Sequence, residues 1–456
     1  MKNLLVFLFL LLIVNIFSFS NKEMKIPEKN GQNIIHFINC GSSDAILLEA
    51  NGHFGLIDSS NPYQYIQNEV EHVQIDESIG EVNQWVSDPD KSVQAVINYL
   101  NYLQIDKLDF IIGTHAHSDH IGGIPAIAYY FVNENTKYYY REYRKTREDT
   151  SNVDWANYKY YLAAIHSMEK KGAYLIDVTD QKIQFDFGDM NLELLNTDID
   201  PDELNLGENQ NSIVTFIKFR NTKILLTADM IAKDEQILKD YVGKIDILKL
   251  AHHGYSESSY EFLKVTKPNY VIIFNDHIAN YANQIINYLK YNLYSKIYMT
   301  GYISKSSESI PYSAIKLNLN LEGQEFEFIN TGKEVEPDSS MEGWSSWNDK
   351  WTYLELGKTV KGWRNLEWSQ GKDWFYFNED GIMLVGWQEL EYLAEKKWFY
   401  FDKINGNMLT GWQHLEWSGG INWFYFYPIT GYMAQDCCVT IDDKEYCFDK
   451  NGCLIE

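Results

Sequence analysis

The stretch that decides the fold is THAHSDH at residues 114–120, in which four potential metal ligands fall within six positions. These ligands are His115, His117, Asp119 and His120. The apolar run 108–112 before the stretch predicts a buried strand, and the apolar run 121–131 after it predicts a helix. On an extended chain, residues two apart face the same side, and the turn that follows carries the next ligands toward a second position. Imidazole and carboxylate together predict two Zn²⁺ ions, with Mn²⁺ or Fe as less favoured occupants.

Matching ligand types recur far downstream, each directly after a predicted strand. Asp229 follows the apolar run 223–226, and the pair His252 and His253 follows the run 245–250. An α/β sheet opens its site at the carboxyl ends of its strands, so we expect these residues to join the first motif. Asp229 is predicted to bridge both ions. One histidine of the pair is predicted to complete the coordination of the second ion, since adjacent side chains point in different directions.

These motifs resemble the HxHxDH signature of the metallo-β-lactamase superfamily, and the resemblance covers roughly residues 33–330. It implies an α/β fold, namely an αββα sandwich with a dinuclear metal site at one edge, and it leaves the substrate open. It also implies that Asp58, at the end of a predicted strand, supports the metal-binding turn. Alignment of the strand before the histidine pair favours His253 as the metal ligand. It places His252 nearby, where it would lie against the phosphate group of a phosphodiester substrate.

The chain departs from the general pattern of the superfamily at one ligand. Many members supply a third histidine to the first metal, whereas this chain has no histidine between His166 and His252. Asn211 or Ser212 is expected near that position, hydrogen-bonded toward the substrate. The assigned metal ligands are His115, His117, Asp119, His120, Asp229 and His253. The residues assigned to catalysis are Asp119, His252 and Asp229, and those assigned to support of the ligands are Asp58 and Asn211.

From residue 343 onward the composition changes to an aromatic repeat. Gly-Trp recurs four times and Trp-Phe-Tyr-Phe three times, with a period of about 24 residues that is typical of repeat architectures. Alternation along a strand places Trp374 and Tyr376 on one face, with Phe375 and Phe377 on the other. One face can therefore pack a core while the other presents rings. Three rings around a gap form a cage that attracts a quaternary ammonium group.

The repeats resemble the choline-binding, or cell-wall-binding, repeats of Gram-positive surface proteins, although their spacing is longer than usual. The resemblance implies a β-hairpin repeat module that binds choline or a glycan of the cell wall. The residues assigned to this binding are Trp363, Trp374, Tyr376, Trp387, Trp398, Tyr400, Trp412, Trp423 and Tyr425.

The predicted organisation has four parts. Residues 1–20 read as a signal peptide, with a basic start, an apolar segment and a small-residue cleavage site. The catalytic domain is predicted over 25–330, a linker over 331–342 and the repeats over 343–456. We therefore expect a secreted, extracellular protein associated with the cell wall, with no membrane span after cleavage. Four clustered cysteines allow three disulfide pairings, and they are Cys437, Cys438, Cys447 and Cys453.

Charge and resemblance together narrow the function. The formal net charge of −25 makes non-specific binding to nucleic acid unfavourable, because such binding depends on Lys and Arg. The two resemblances together imply a dinuclear zinc phosphodiesterase that hydrolyses phosphorylcholine, or a related phosphodiester, from teichoic acids. The alternatives are a secreted nuclease, a lactone or lactam hydrolase, and a wall-binding adhesin without activity.

Overall fold

A computed structural model describes residues 32–61, 91–143, 152–196, 207–255, 258–275, 283–301, 312–320, 323–347 and 349–455. The predicted signal peptide and residues 25–31 of the predicted catalytic domain lie outside this range. The chain forms two compact units. The first comprises the described residues up to Ala282 with Ser295–Val335, and the second comprises Asn283–Tyr294 with Glu336–Glu456.

The first unit is built on two eight-stranded sheets. In spatial order, the first sheet contains β15 (Gln324–Ile329), β14 (Ala314–Leu319), β1 (Asn33–Ile38), β2 (Ile46–Ala50), β3 (His53–Ile57), β4 (Phe110–Ile112), β5 (Lys137–Tyr140) and β6 (Tyr174–Asp177). The second sheet contains β16 (Lys333–Glu334), β13 (Lys296–Met299), β12 (Tyr270–Ile273), β11 (Ile247–Lys249), β10 (Thr222–Leu226), β9 (Val214–Phe219), β8 (Met190–Leu195) and β7 (Ile183–Phe187). The edge strand β16 falls in the segment 331–342 that the composition predicted as a linker.

Both sheets contribute to one apolar core, and the helices pack around them. Leu47 and Phe110 of the first sheet share this core with Ile217 and Ile272 of the second. The helices of the first unit are α1 (Lys91–Tyr102), α2 (Ser118–Ile121), α3 (Ile124–Phe131), α4 (Asn152–Lys170), α5 (Ala232–Val242) and α6 (Tyr260–Thr266). The predicted αββα sandwich is confirmed. All described helices are too short or too polar to cross a lipid bilayer.

Each sheet has a parallel part, and these parts position the site. Strands β3 to β6 run parallel in the first sheet, and β10 to β13 run parallel in the second. Parallel strands present their carboxyl ends at the same edge of a sheet. The loops after β3, β4, β10 and β11 therefore converge, and they carry Asp58, the THAHSDH motif, Asp229 and the histidine pair.

The helix predicted over 121–131 is interrupted at its start. Gly122 and Gly123 separate α2 from α3, and the N–H of Gly123 donates a 2.9 Å hydrogen bond to the carbonyl of Ser60. A Cβ on Gly123 would lie 2.2 Å from the carbonyl oxygen of Ser59, so only glycine allows this approach. The interruption packs the turn that carries Asp119 onto the chain that leaves β3.

The second unit is a stack of β-hairpins, so the predicted hairpin module is confirmed. The strands are β17 (Gly343–Trp347), β18 (Lys350–Glu355), β19 (Lys358–Thr359), β20 (Gly362–Trp368), β21 (Gly371–Phe377), β22 (Gly386–Tyr392), β23 (Glu395–Phe401), β24 (Gly411–Trp417), β25 (Gly420–Phe426), β26 (Cys437–Ile441) and β27 (Lys444–Phe448). A methionine after each central hairpin donates its backbone N–H to the hairpin before, as Met408 does to the carbonyl of Trp374 at 2.8 Å. Each repeat is thereby joined to its neighbour by the main chain.

Helix α7 (Asn283–Tyr291) belongs to this second unit and packs against its first sheet. The side-chain amide of Asn287 donates to the carbonyl of Gly357 at 2.9 Å and accepts from the N–H of Asp338 at 3.0 Å. The ring of Tyr288 lies 5.6 Å from that of Trp347. Since end repeats of stacked arrays need a cover for their apolar face, α7 serves as that cover at the first hairpin.

A disulfide stands in the last hairpin where the other hairpins have an aromatic pair. Strand register pairs Trp with Tyr across each of the central hairpins, for example Trp412 with Tyr425. In the last hairpin the corresponding cross-strand pair is Cys438 and Cys447, which form a disulfide. The other clustered cysteines, Cys437 and Cys453, are free thiols.

Candidate functional site

All six residues assigned as metal ligands lie together at the converging strand ends. Their ligand atoms form two groups, and the atoms within each group lie within 4.8 Å of one another. One group contains His115, His117 and Asp229, and the other contains Asp119, His120, Asp229 and His253. Asp229 belongs to both groups, which is the arrangement that a bridging carboxylate requires.

Two buried atoms in this cluster lack hydrogen-bond partners and face each other. His120 Nε2 lies 3.2 Å from Asp229 Oδ1, and neither atom has a hydrogen-bond partner among the described residues. The other ring nitrogen, His120 Nδ1, donates to Asp58 Oδ2 at 2.7 Å. Buried polar atoms are rarely left unpaired, so this pair of atoms fits a divalent cation placed between them.

Asp58 also determines which nitrogen of His115 faces the ligand group. Thr114 Oγ1 donates to Asp58 Oδ2 at 2.8 Å and therefore accepts from His115 Nδ1, 3.1 Å away. This leaves His115 Nε2 without a proton, 3.0 Å from His117 Nδ1. One carboxylate thus sets the tautomers of two ligand histidines in separate ion groups.

Replacing Asp58 by Asn is expected to weaken metal binding and activity by about 10- to 100-fold. The carboxylate accepts from the N–H of Thr114 on Oδ1 at 2.9 Å and from Thr114 Oγ1 and His120 Nδ1 on Oδ2, and an amide would present an N–H in place of one of these oxygens. Metal titration by calorimetry and the rate of hydrolysis measure the two effects. Asp109→Asn is the matched control, since its carboxylate also accepts from a histidine, His53 at 3.0 Å, but lies outside the ligand groups. Equal behaviour of the two variants would contradict this role of Asp58.

Two residues that the sequence analysis missed hold the cluster from behind. The ammonium of Lys249 is fully buried and lies 2.5 Å from Asp44 Oδ2 and 3.7 Å from Asp229 Oδ1. Asp44 Oδ1 lies 3.2 Å from His253 Nδ1. Burial alone would raise the pKa of Asp44, but Lys249 and His253 outweigh it and lower that pKa. The sequence signal for Lys249 was a cation at the end of an otherwise apolar strand, three residues before His252.

Glu208 is a further missed residue, and it explains the position of Asn211. Glu208 accepts from the N–H of Ala116 at 2.8 Å and from the side-chain amide of Asn211 at 2.9 Å. Asn211 is buried and thereby supports the metal-binding turn through Glu208. Ser212 Oγ accepts from the N–H of Asp229 at 3.2 Å and lies 3.5 Å from His115 Nδ1. In the segment where many superfamily members have a third histidine, the hydroxyl of Ser212 therefore contacts two residues of the first ion group, Asp229 and His115.

The charges of the cluster are arranged as a cation site. Burial alone would lower the pKa of His253, but Asp229 and Asp44 raise it to about 9. Burial alone would raise the pKa of Asp229, but His120 and His253 hold it well below its usual range. Without ions, protonated imidazoles balance the carboxylates. Metal binding must displace these protons, so it weakens as the pH falls.

The histidine pair separates into two roles by position. The side chain of His253 is 2% exposed and points into the second ion group, whereas that of His252 is 29% exposed. His252 Nε2 lies 3.8 Å from Asp229 Oδ2, and its ring lies 5.4 Å from that of Tyr255. Both histidines have positive φ, so the tight turn directs the adjacent side chains differently. His252 is therefore placed at the rim, where substrate would approach.

A buried carboxyl in the first turn of α5 gives the first unit a pH-dependent stability. Both carboxylate oxygens of Asp234 are buried and unpaired among the described residues, and burial raises its pKa to about 6. An unfolded Asp titrates near 4, so ionising Asp234 costs stability as the pH rises from about 4 to above 6.

Asp234→Asn should therefore raise the melting temperature relative to the unmodified protein at pH 8 but not at pH 4. Calorimetry at both pH values tests this, with exposed Asp240→Asn as control; an equal gain at both values would contradict it.

In the repeats, the tryptophans of Gly-Trp act mainly as joints between hairpins. The ring of Trp363 lies 5.1 Å from that of Tyr376 in its own hairpin and 4.9 Å from that of Phe399 in the next. Trp374 is 44% exposed and stands nearly perpendicular to Trp363, with 6.3 Å between the ring centroids. Each central hairpin thus presents a corner of two tryptophans, which we call the tryptophan corner. The others are Trp387 with Trp398, and Trp412 with Trp423.

The tyrosines assigned to ligand binding are less accessible than alternation predicts. Tyr400 and Tyr425 are 5% and 9% exposed, because each packs against the following hairpin. The first hairpin, by contrast, carries a corner that the sequence analysis missed. Trp344 and Trp351 lie 6.4 Å apart at 77°, and Trp351 is 44% exposed. The Gly343-Trp344 copy of the Gly-Trp motif could have predicted this corner.

Two family descriptions match this chain. The metallo-β-lactamase superfamily matches residues 39–277, and the choline-binding repeat matches residues 360–412. A segment of 67 residues, 14% of the chain, is 39% identical to recombination protein 2 of Haemophilus influenzae and spans 8% of that protein.

Two solved structures are similar to this chain over part of its length. The metallo-β-lactamase fold protein YhfI from Bacillus subtilis is 13% identical, with 59% of this chain and 97% of that chain covered and a TM-score of 0.36. Choline binding protein F from Streptococcus pneumoniae is 24% identical, with 34% of this chain and 58% of that chain covered and a TM-score of 0.15. The chain thus spans less than two thirds of recombination protein 2 and of the choline-binding protein.

Proposed function

Because this chain belongs to the metallo-β-lactamase superfamily and carries choline-binding repeats, we propose that it is a secreted phosphodiesterase of the cell wall. It removes phosphorylcholine, or a related phosphodiester, from teichoic acids while the repeats hold the wall. The observation that carries the proposal is the presence, in one chain, of a two-ion ligand cluster sharing Asp229 and of tryptophan corners suited to quaternary ammonium groups.

The ligand cluster suits two divalent ions, with Zn²⁺ the best match to its imidazole and carboxylate donors. When bound, such ions supply a nucleophilic oxygen at neutral pH and positive charge for the phosphate oxygens. His115 and His117 would hold the first ion, Asp119, His120 and His253 the second, and Asp229 both. Asp229, which belongs to both ligand groups, would thereby hold the two ion positions in a fixed relation.

His252 and the acidic character of the chain complete the proposed mechanism. His252 stands at the rim of the cluster, so its ring is positioned to hydrogen-bond a phosphate oxygen or to donate a proton to the leaving alcohol. The net charge of −25 favours a substrate with a cationic head group and disfavours a polyanionic nucleic acid. Phosphorylcholine meets both requirements, because its phosphate would suit the cation positions of the ligand cluster and its choline would suit the negative electrostatic field of the protein.

Hydrolysis of a chromogenic phosphorylcholine ester, compared with bis-nitrophenyl phosphate, tests the proposal. We expect strong preference for the choline ester, dependence on added zinc and loss of activity with a chelator. Equal rates on both esters would overturn the choline specificity. No turnover of either ester by the zinc-loaded protein would overturn phosphodiester chemistry and leave a lactone or lactam hydrolase, or a binding protein.

A second candidate is a nuclease, which the match to part of recombination protein 2 favours. The acidic charge of the chain opposes it, since a nuclease must attract phosphate backbones. Single-stranded and duplex DNA, offered with zinc and with Mn²⁺, separate the candidates. Cleavage of DNA faster than of the choline ester would favour the nuclease.

Replacing Trp374 by Ala is expected to lower choline affinity at its corner by about 3- to 30-fold, because cation–π attraction contributes roughly 0.5–2 kcal/mol. Equilibrium dialysis against labelled choline should show one weakened site among several. Tyr174→Ala is the control, since Tyr174 is 65% exposed but lies in the first unit and outside any tryptophan corner. Choline binding that is unchanged in Trp374→Ala would contradict the assignment.

A further inference from the structure

The second unit contains a groove whose charge is opposite to that of the protein as a whole. It has a volume of about 370 Å³ and is formed by the turn between β18 and β19 and the start of β20. Three cations line it, and Glu355 is its one lining carboxylate. The cations are Lys358, Lys361 and Arg364. A volume of this size holds a phosphate together with its flanking alcohol groups.

These three cations make few contacts within the protein. Some surface lysines of the described chain pair with carboxylates, as Lys396 does with Glu389 at 3.1 Å. None of the groove cations forms an ion pair with any described residue, although Glu355 lines the same groove. Lys358 lies 5.1 Å above the ring of Tyr291, and one N–H of Arg364 donates to the carbonyl of Trp363 at 2.9 Å. Most of their charge and donor capacity therefore remains available to a ligand.

The groove adjoins an aromatic site along the same strand. Arg364 directly follows Trp363 in β20, so the two side chains leave opposite faces of the strand about 3 Å apart along its axis. A polymer that wraps around the edge of this strand, from one face to the other, can place a quaternary ammonium group at the tryptophan corner and an anion in the groove. Arginine presents parallel N–H donors that match phosphate oxygens, and lysine adds point charges.

We propose that this groove binds a phosphate group in the backbone of the polymer whose choline groups occupy the tryptophan corners. The inference rests on the proposed function, since it takes the wall ligand to be a phosphodiester polymer. Binding in the groove is short-ranged, because the acidic chain repels polyanions at a distance, and it weakens with added salt. The groove thereby selects polymers that carry both charges over those that carry choline alone.

The test measures binding of choline-free poly(glycerol phosphate) to the full-length protein by calorimetry, with saturating free choline present to occupy the tryptophan corners. One triple variant removes the groove cations by Lys358→Gln, Lys361→Gln and Arg364→Gln. A control variant removes the same charge elsewhere in the unit by Lys396→Gln, Lys397→Gln and Lys444→Gln. We expect at least a tenfold loss of affinity in the groove variant and less than a twofold loss in the control.

Equal losses in both variants would overturn the groove, because general electrostatics would then explain the binding. Wild-type affinity in the groove variant would overturn it as well. Choline binding can be measured by the change in tryptophan fluorescence, and it should be the same in the wild type and both variants. Unchanged choline binding shows that the hairpins remain folded. Because this assay measures binding to a polymer that lacks choline, failure of the esterase proposal appears separately, in the rate on the phosphorylcholine ester.

Discussion

Asp229→Asn is expected to lower the rate of hydrolysis by at least about a thousandfold, equivalent to roughly 4 kcal/mol of transition-state stabilisation. The physical reason is that both ligand groups share Asp229. Its Oδ1 faces His120 Nε2 at 3.2 Å, and its Oδ2 faces His253 Nε2 at 3.6 Å. An amide of the same shape presents an N–H to one of these positions, so one ion loses a ligand and meets a donor.

Metal analysis after dialysis accompanies the rate measurement for this variant. The bound metal should fall from two ions to one or fewer per chain, while the far-ultraviolet circular dichroism stays unchanged. Asp234→Asn is the matched control, because Asp234 is also buried, lies five residues away and belongs to neither group. A variant Asp229→Asn that kept two ions and full activity would contradict the assignment of Asp229 as the shared ligand.

Lys249→Met is expected to destabilise the metal-free first unit by about 3–5 kcal/mol, because removing one partner of a buried ion pair leaves the other charge uncompensated. The methionine fills the space of the lysine stem, so lost volume contributes little. Asp44 loses a contact of 2.5 Å, and Asp229 loses one of 3.7 Å. Urea unfolding followed at 222 nm measures this effect, since most described helices belong to the first unit.

Two further variants separate charge from packing at Lys249. Lys218→Met removes a lysine that is 38% exposed and pairs with Glu193 at 3.0 Å, and it should cost less than about 1 kcal/mol. The double variant Lys249→Met with Asp44→Asn removes the uncompensated charge and should recover part of the lost stability. Stability that is unchanged in Lys249→Met, or lowered further in the double variant, would show that the buried ammonium does not balance these carboxylates.

Some residues of the metal cluster could be predicted from the local sequence, and others could not. The THAHSDH motif could be interpreted because its ligands lie on one turn, and Asp229 and His253 because each follows an apolar strand. Asp44 and Lys249 could not be assigned in the same way. They lie on separate segments, and only the packing of the two sheets brings the lysine ammonium against the carboxylate.

The repeats show the same division. The period and the strand alternation predicted the hairpins and the burial of Phe375 and Phe377. They did not predict that Tyr400 would be covered by the next hairpin, because that depends on how the hairpins stack. The pairing of Cys438 with Cys447 was likewise one of three possibilities until strand register placed these residues directly opposite each other.

The sequence by itself determined the superfamily, the αββα and hairpin architectures, and the residue types of the ligand cluster, because each depends on neighbours along the chain. Only the tertiary structure decided which carboxylate orients His120, which carboxylate the Lys249 ammonium contacts, and which cations are left unpaired around the groove. Those outcomes depend on distances between segments that are far apart in sequence. Burial and charge compensation set these distances, and neither is expressed in any local pattern of residues.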